Sequence, residues 1–125
     1  MFSYSKVFGS FSVQNLEKAK NFYKDILELK VIENDMGLLE LHLKDGNVFL
    51  IYPKPDHQPA DFTVLNFSVD DIEAATDILI DKGVFFEQYS GEINTNSKGI
   101  HKGSDGPSIA WFKDPSGNII SLIEN

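Results

Sequence analysis

The sequence predicts an α+β fold built from two βαβββ modules. Three observations predict it. Strand-like and helix-like periodicities follow in the order β-α-β-β-β, and that order then repeats. A stretch broken by Pro53, Pro55 and Pro59 separates the two runs. Each run closes on a hairpin with matching turn residues, Lys44-Asp45 and Gly46-Asn47 in the first, Lys113-Asp114 and Gly117-Asn118 in the second.

Val7 to Val13 alternates as a strand, with Phe8, Ser10 and Ser12 on one side and Val7, Gly9, Phe11 and Val13 on the other. A helix follows. Asn15 is placed to cap it, and Leu16, Ala19, Phe22, Tyr23, Ile26 and Leu27 recur at helical spacing. Leu29 to Glu33 is a short strand, and Asn34-Asp35-Met36-Gly37 a turn. Leu38 to Leu43 and Val48 to Tyr52 form a hairpin around Asp45-Gly46. Prolines exclude helix and central strand from the next segment, which reads as a linker. Phe62 to Val69 is then a strand, and Asp70 or Asp71 caps a helix whose Ile72, Ala75, Ile78 and Leu79 face inward. Gly83 ends that helix. Val84 to Gln88 is read as a strand. The last hairpin joins Ile109–Phe112 to Ile119–Ile123 across Asp114-Pro115-Ser116-Gly117-Asn118. There Pro115 presets φ, Gly117 accepts a positive φ, and Asp114 accepts backbone hydrogen bonds.

The repeat holds residue by residue. When Val13 is laid on Val69, Leu16 falls on Ile72, Glu17 on Glu73, Ala19 on Ala75 and Asp25 on Asp81. The chain is therefore expected to be one domain, with module 1 at about 1–53, a linker at about 53–60 and module 2 at about 61–125.

The closing hairpin, Ala110 to Glu124, together with the opening Phe11 to Tyr23 and its Phe-Tyr pair, resembles the vicinal oxygen chelate superfamily. That group includes glyoxalase I, extradiol dioxygenases, fosfomycin resistance enzymes and bleomycin resistance proteins. The resemblance covers nearly the whole chain. It implies that the two modules form a half-open barrel-like sheet around a cleft, and that the protein is a homodimer. Glu28 departs from the family, which usually has glycine before the second strand.

Metal-using members take one ligand from the first strand and one from the last strand of each module. Matched onto this chain, those positions are Phe8, Leu50, Val64 and Ser121. A divalent ion needs several converging N or O donors. Three of the four side chains have none, and serine is a poor ligand without help. The nearby residues of the same parity, Ser10, Ser12, Tyr52, Asn66 and Ser68, supply no His, Asp or Glu set. No metal and no cofactor are therefore expected. The leading reading is a glyoxalase/bleomycin resistance-like protein that binds a small molecule in the cleft, through Phe8, Ser10, Leu50, Tyr52, Val64, Asn66, Trp111 and Ser121. The alternative is a glyoxalase-type lyase/isomerase or dioxygenase-related enzyme, with a shifted metal site or a metal-free acid-base pair. A third reading is a regulatory or structural dimer with a vestigial cleft.

Glu40 and His42 lie two apart on one strand, so both point to one side. They are read first as its wet face and second as a general base with its orienter, the candidate catalytic pair. His57, in the linker, is read as a solvated loop residue. His101 lies in Ser90 to Ser108, rich in Gly, Ser, Asn and Lys. That stretch is read as a flexible connection, or as a flap bringing His101 or Lys102 to ligand.

Composition bounds the rest. The 125 residues include 10 Phe and no Cys, so the core is rich in aromatics and disulfides and thiolate chemistry are excluded. The net charge of −8 argues against nucleic acid or anionic membrane as partners. No apolar run approaches a membrane span, and a cytoplasmic protein is expected.

Overall fold

A computed structural model describes residues 1–125. The chain divides into two compact units, Met1–Gln58 and Pro59–Asn125. The first contains β1 (Gly9–Val13), α1 (Leu16–Asn21), a π-helical turn (Phe22–Ile26), β2 (Lys30–Glu33), β3 (Leu39–His42) and β4 (Val48–Pro53). The second contains β5 (Thr63–Val69), α2 (Ile72–Asp81), β6 (Ile100–His101), β7 (Ile109–Lys113) and β8 (Ile119–Glu124). Their sheets have the same topology, β1-β4-β3-β2 and β5-β8-β7-β6. In each, the first strand runs parallel to the last and the other pairs are antiparallel.

Strand alternation sorts each sheet into a core face and an open face. In the first unit Val13, Leu39, Leu41 and Ile51 are fully buried with Ala19 and Tyr23 of the helical segment. Phe11 and Tyr23 meet as tilted rings at 6.1 Å. In the second unit Leu65, Ala110, Phe112, Ile120 and Leu122 are buried with Ile72 and Thr76 of α2. Burying each of these large side chains stabilises the fold by roughly 1.5–3 kcal/mol.

Both helices begin as expected. The Lys18 amide donates to Asn15 Oδ1 at 2.9 Å, and the Ala74 amide to Asp71 Oδ1 at 3.1 Å, so Asp71 rather than Asp70 is the cap. Both end in one way too. The Leu29 amide donates to the Tyr23 carbonyl and the Val84 amide to the Leu79 carbonyl, each at 3.0 Å. The residue before each amide turns left-handed. It is Gly83 (φ 94°) in the second unit and Glu28 (φ 56°) in the first.

Three local expectations change. The first helix is α-helical only to Asn21 and continues as a π-turn. Val84–Gln88 is not a strand. It makes one bridge, Phe86 to Phe112, and the Glu87 amide donates to the Trp111 carbonyl. Beyond that, Gln88 and Tyr89 bond to Ser97 and Thr95 of their own loop, which ends the pairing. The fourth strand is Ile100–His101 instead, and its approach depends on Gly99, where a Cβ would lie 2.6 Å from Cβ of Phe86. His57 is not solvated but buried, and its Nδ1 lies 2.7 Å from Ser12 Oγ, which ties the linker to β1.

Residues 96–102 are also held. Asn96 Oδ1 accepts from the amides of Lys98 and Ile100. Lys98 reaches Asp77 at 2.9 Å and Glu73 at 3.2 Å, and Lys102 reaches Glu73 at 3.2 Å. Lys102 and then Lys98 hold the Glu73 carboxyl below its usual range, so this clasp on α2 is ionic at neutral pH.

Candidate functional site

Each open face carries a groove. In the first unit the groove has a volume of about 490 Å³ and an apolar floor of Phe8, Val48, Leu50 and Met36. Alternation puts these side chains there: Leu50 pairs with Glu40 and with Ser10, and His42 with Val48. Glu40 and His42 line the same groove.

The polar part of this groove is an ordered relay. Asn34 Oδ1 accepts the amides of Met36 and Leu38, each at 3.0 Å. That fixes which way the side-chain amide points. Its Nδ2 donates to Glu40 Oε2 at 3.4 Å, and Glu40 Oε1 lies 2.8 Å from His42 Nε2. The hydrogen bond from His42, and next that from Asn34, hold the Glu40 carboxyl below its usual range. An ionised carboxylate only accepts, so His42 Nε2 donates to Glu40 and Nδ1 is the ring nitrogen not engaged by it. The pair is thus a wet strand face in position and an oriented acid-base pair in geometry.

In the second unit the groove measures about 450 Å³ and is lined by Phe62, Thr63, Tyr89, Ile93, Trp111 and Ile119, with Asp61 and Glu92 also lining it. Tyr89 stands edge-on to Trp111, with centroids 5.7 Å apart and planes at 78°. His101 lies behind Trp111 at 6.4 Å, its Nδ1 donating to the Asn94 carbonyl at 2.7 Å. Neither His101 nor Lys102 lines the groove.

The candidate residues from the sequence therefore separate. Phe8, Leu50, Glu40 and His42 line the first groove, and Trp111 the second. Ser10 and Tyr52 share the open face of the first sheet, by their register with Leu50 and Ser12, without lining its groove. Ser121 is buried and donates to Asn66 Oδ1 at 2.5 Å across the β5–β8 pair. Val64 is the extra residue of a bulge between Thr63 and Leu65, and Thr63 takes the groove position beside it. Asn34, Phe62, Tyr89 and Ile93 were not singled out in the sequence. Asn34 had only a turn signal. Tyr89 follows the bridge segment, and its meeting with Trp111 depends on that pairing.

The four positions used by metal-binding relatives do not fit a metal here. Phe8, Leu50 and Val64 have no donor atoms, and the Ser121 hydroxyl is committed to Asn66. Nowhere do three His, Asp or Glu side chains gather as a ligand set.

Comparison with known proteins agrees with this architecture. The fosfomycin resistance protein FosX from Listeria monocytogenes superposes with a TM-score of 0.73 at 15% identity, covering 100% of this chain and 95% of that one. TnmS3, an antibiotic binding protein from a Streptomyces species, gives 0.69 at 24% identity, covering 98% of each chain. Lactoylglutathione lyase from Agrobacterium tumefaciens gives 0.70 at 16% identity, covering 98% and 96%. These likenesses establish the fold, two βαβββ modules with unclosed sheets. No curated protein matches the chain by sequence. No helix is long and apolar enough to cross a membrane. The sequence model of the Glyoxalase/Bleomycin resistance protein/Dioxygenase superfamily matches residues 7–122, and the chain belongs to that superfamily.

Proposed function

We propose that this protein binds a small planar molecule without chemistry at a divalent metal, as a homodimer. The observation that carries the reading is the Trp111–Tyr89 pair over an apolar groove of about 450 Å³. Aromatic walls give a flat ligand large contact at little entropic cost, and the few polar groups at the groove can orient it. An antibiotic-binding relative on the same fold supports this reading. So does the donor-poor set Phe8, Leu50, Val64 and Ser121, because metal chemistry needs several converging donors. The sheet edges support the dimer. Each four-stranded sheet ends in strands with one unpaired edge, β1 and β2 or β5 and β6, and such edges need cover.

Trp111 is the only tryptophan, so its fluorescence reports this groove alone. Titration with a neutral polycyclic dye such as Nile red is expected to quench it saturably. Trp111→Ala should weaken binding of the dye, read by its own emission, by about tenfold. Equal affinity in that variant would remove the second groove as the site.

A further inference from the structure

The groove of the first unit holds chemistry that planar stacking does not use. Its floor is apolar, its wall carries the oriented Glu40–His42 pair, and Lys6 lies at its margin. The imidazole presents one nitrogen to Glu40, leaving Nδ1 as the available acceptor. Glu40 is on the same strand as His42, Lys30 pairs opposite His42 on β2, and Lys6 comes from the segment before β1.

We propose that this groove is a second ligand site, taking an acidic phenol or enol that gives its proton to His42. The ligand O–H bond breaks and its electron pair stays on oxygen. The proton forms a bond to Nδ1, and the resulting imidazolium donates to Glu40 through Nε2 and to the bound oxyanion through Nδ1. Glu40 offsets the new positive charge on the ring, while Lys6, which lines the groove, favours the anion. The apolar floor of Phe8, Val48, Leu50 and Met36 accommodates the ring that carries the hydroxyl. Asn34 has a positioning role: its orientation, imposed by two turn amides, holds the Glu40 carboxylate that meets His42 Nε2.

The probe is para-nitrophenol, whose anion alone absorbs in the visible. At a pH where the free phenol is mostly neutral, adding protein should raise the phenolate-to-phenol ratio of the bound probe at least about tenfold. His42→Gln keeps a donor for Glu40 but has no base, so the bound probe should remain neutral. Glu40→Gln should reduce the shift. Trp111→Ala should leave it unchanged, which separates this site from the stacking groove. Near-ultraviolet circular dichroism checks that each variant is folded. Should His42→Gln not fold, the carbon and nitrogen shifts of the His42 ring in the wild type take its place, and they should move to the imidazolium state on binding. Failure to bind the probe, binding with no gain of phenolate, a gain that survives His42→Gln, or an unmoved His42 ring would each overturn the proposal.

Discussion

Glu28 is the only residue other than glycine with a left-handed backbone. It occupies the helix-terminating position that Gly83 fills in the second unit, and a Cβ there costs roughly 1–2 kcal/mol. The family's usual glycine points to the same spot. We expect Glu28→Gly to raise stability by about 1 kcal/mol, the relief of strain exceeding the added freedom of the unfolded chain. An unchanged or lower urea midpoint would mean that the Glu28 side chain contributes more than its backbone costs. The histidines teach a related lesson. His57 reads as a loop residue because prolines surround it, yet its hydrogen bond to Ser12 draws it into the interior. Its partner lies 45 positions away in the chain, a distance over which periodicity carries no information.

The two hairpins share one backbone turn, closed by Leu43 and Asn47 in the first and by Asp114 and Asn118 in the second, but take their carboxylate from different turn positions. In the first, Asp45 Oδ1 accepts the Asn47 amide and Oδ2 accepts Asn47 Nδ2, each at 3.0 Å. In the second, Asp114 Oδ1 accepts the amides of Ser116 and Asn118 at 2.9 Å, and Oδ2 accepts Asn118 Nδ2 at 3.0 Å. The first is exposed, whereas Asp114 and Asn118 are only 5% and 2% accessible. Removing a carboxylate from the buried hairpin leaves amides that water cannot easily reach. Chemical denaturation should therefore show Asp114→Ala losing about 2–3 kcal/mol and Asp45→Ala about 1 kcal/mol or less. Equal losses would show that water replaces the carboxylate in both turns. The repeated turn was visible in the sequence, because a short-range hydrogen-bond pattern needs only neighbouring residues. Which copy is buried was not.

For the protein as a whole, the decisive question is whether any divalent metal binds. A metal held by the native state raises the melting temperature by mass action. With Phe8, Leu50 and Val64 lacking donors and Ser121 engaged with Asn66, melts with zinc, nickel, manganese or iron(II) should coincide with those in magnesium. General attraction to the net charge of −8 should fade in salt. A rise specific to one metal that survives salt and disappears in Ser121→Ala would restore a metal site and move catalysis ahead of binding.

Local chemistry was enough to read the elements of the first unit, the starts of both helices and both hairpins, since each rests on periodicity or on contacts a few residues long. The same alternation put Glu40 and His42 on one side of their strand, but strand pairing, not alternation, brought them to one groove with Phe8 and Leu50. Five features depended on tertiary structure. Ile100–His101 is a strand because β7 offers an edge and Gly99 allows close approach, not because two residues carry a strand pattern. Val84–Gln88 has such a pattern but makes only one bridge. Asn34 became part of a relay through Glu40, and Tyr89 met Trp111, only after distant backbone segments were brought together. The bulge at Val64 put Thr63 at the groove, because one extra residue breaks the twofold alternation by which a strand's faces are read.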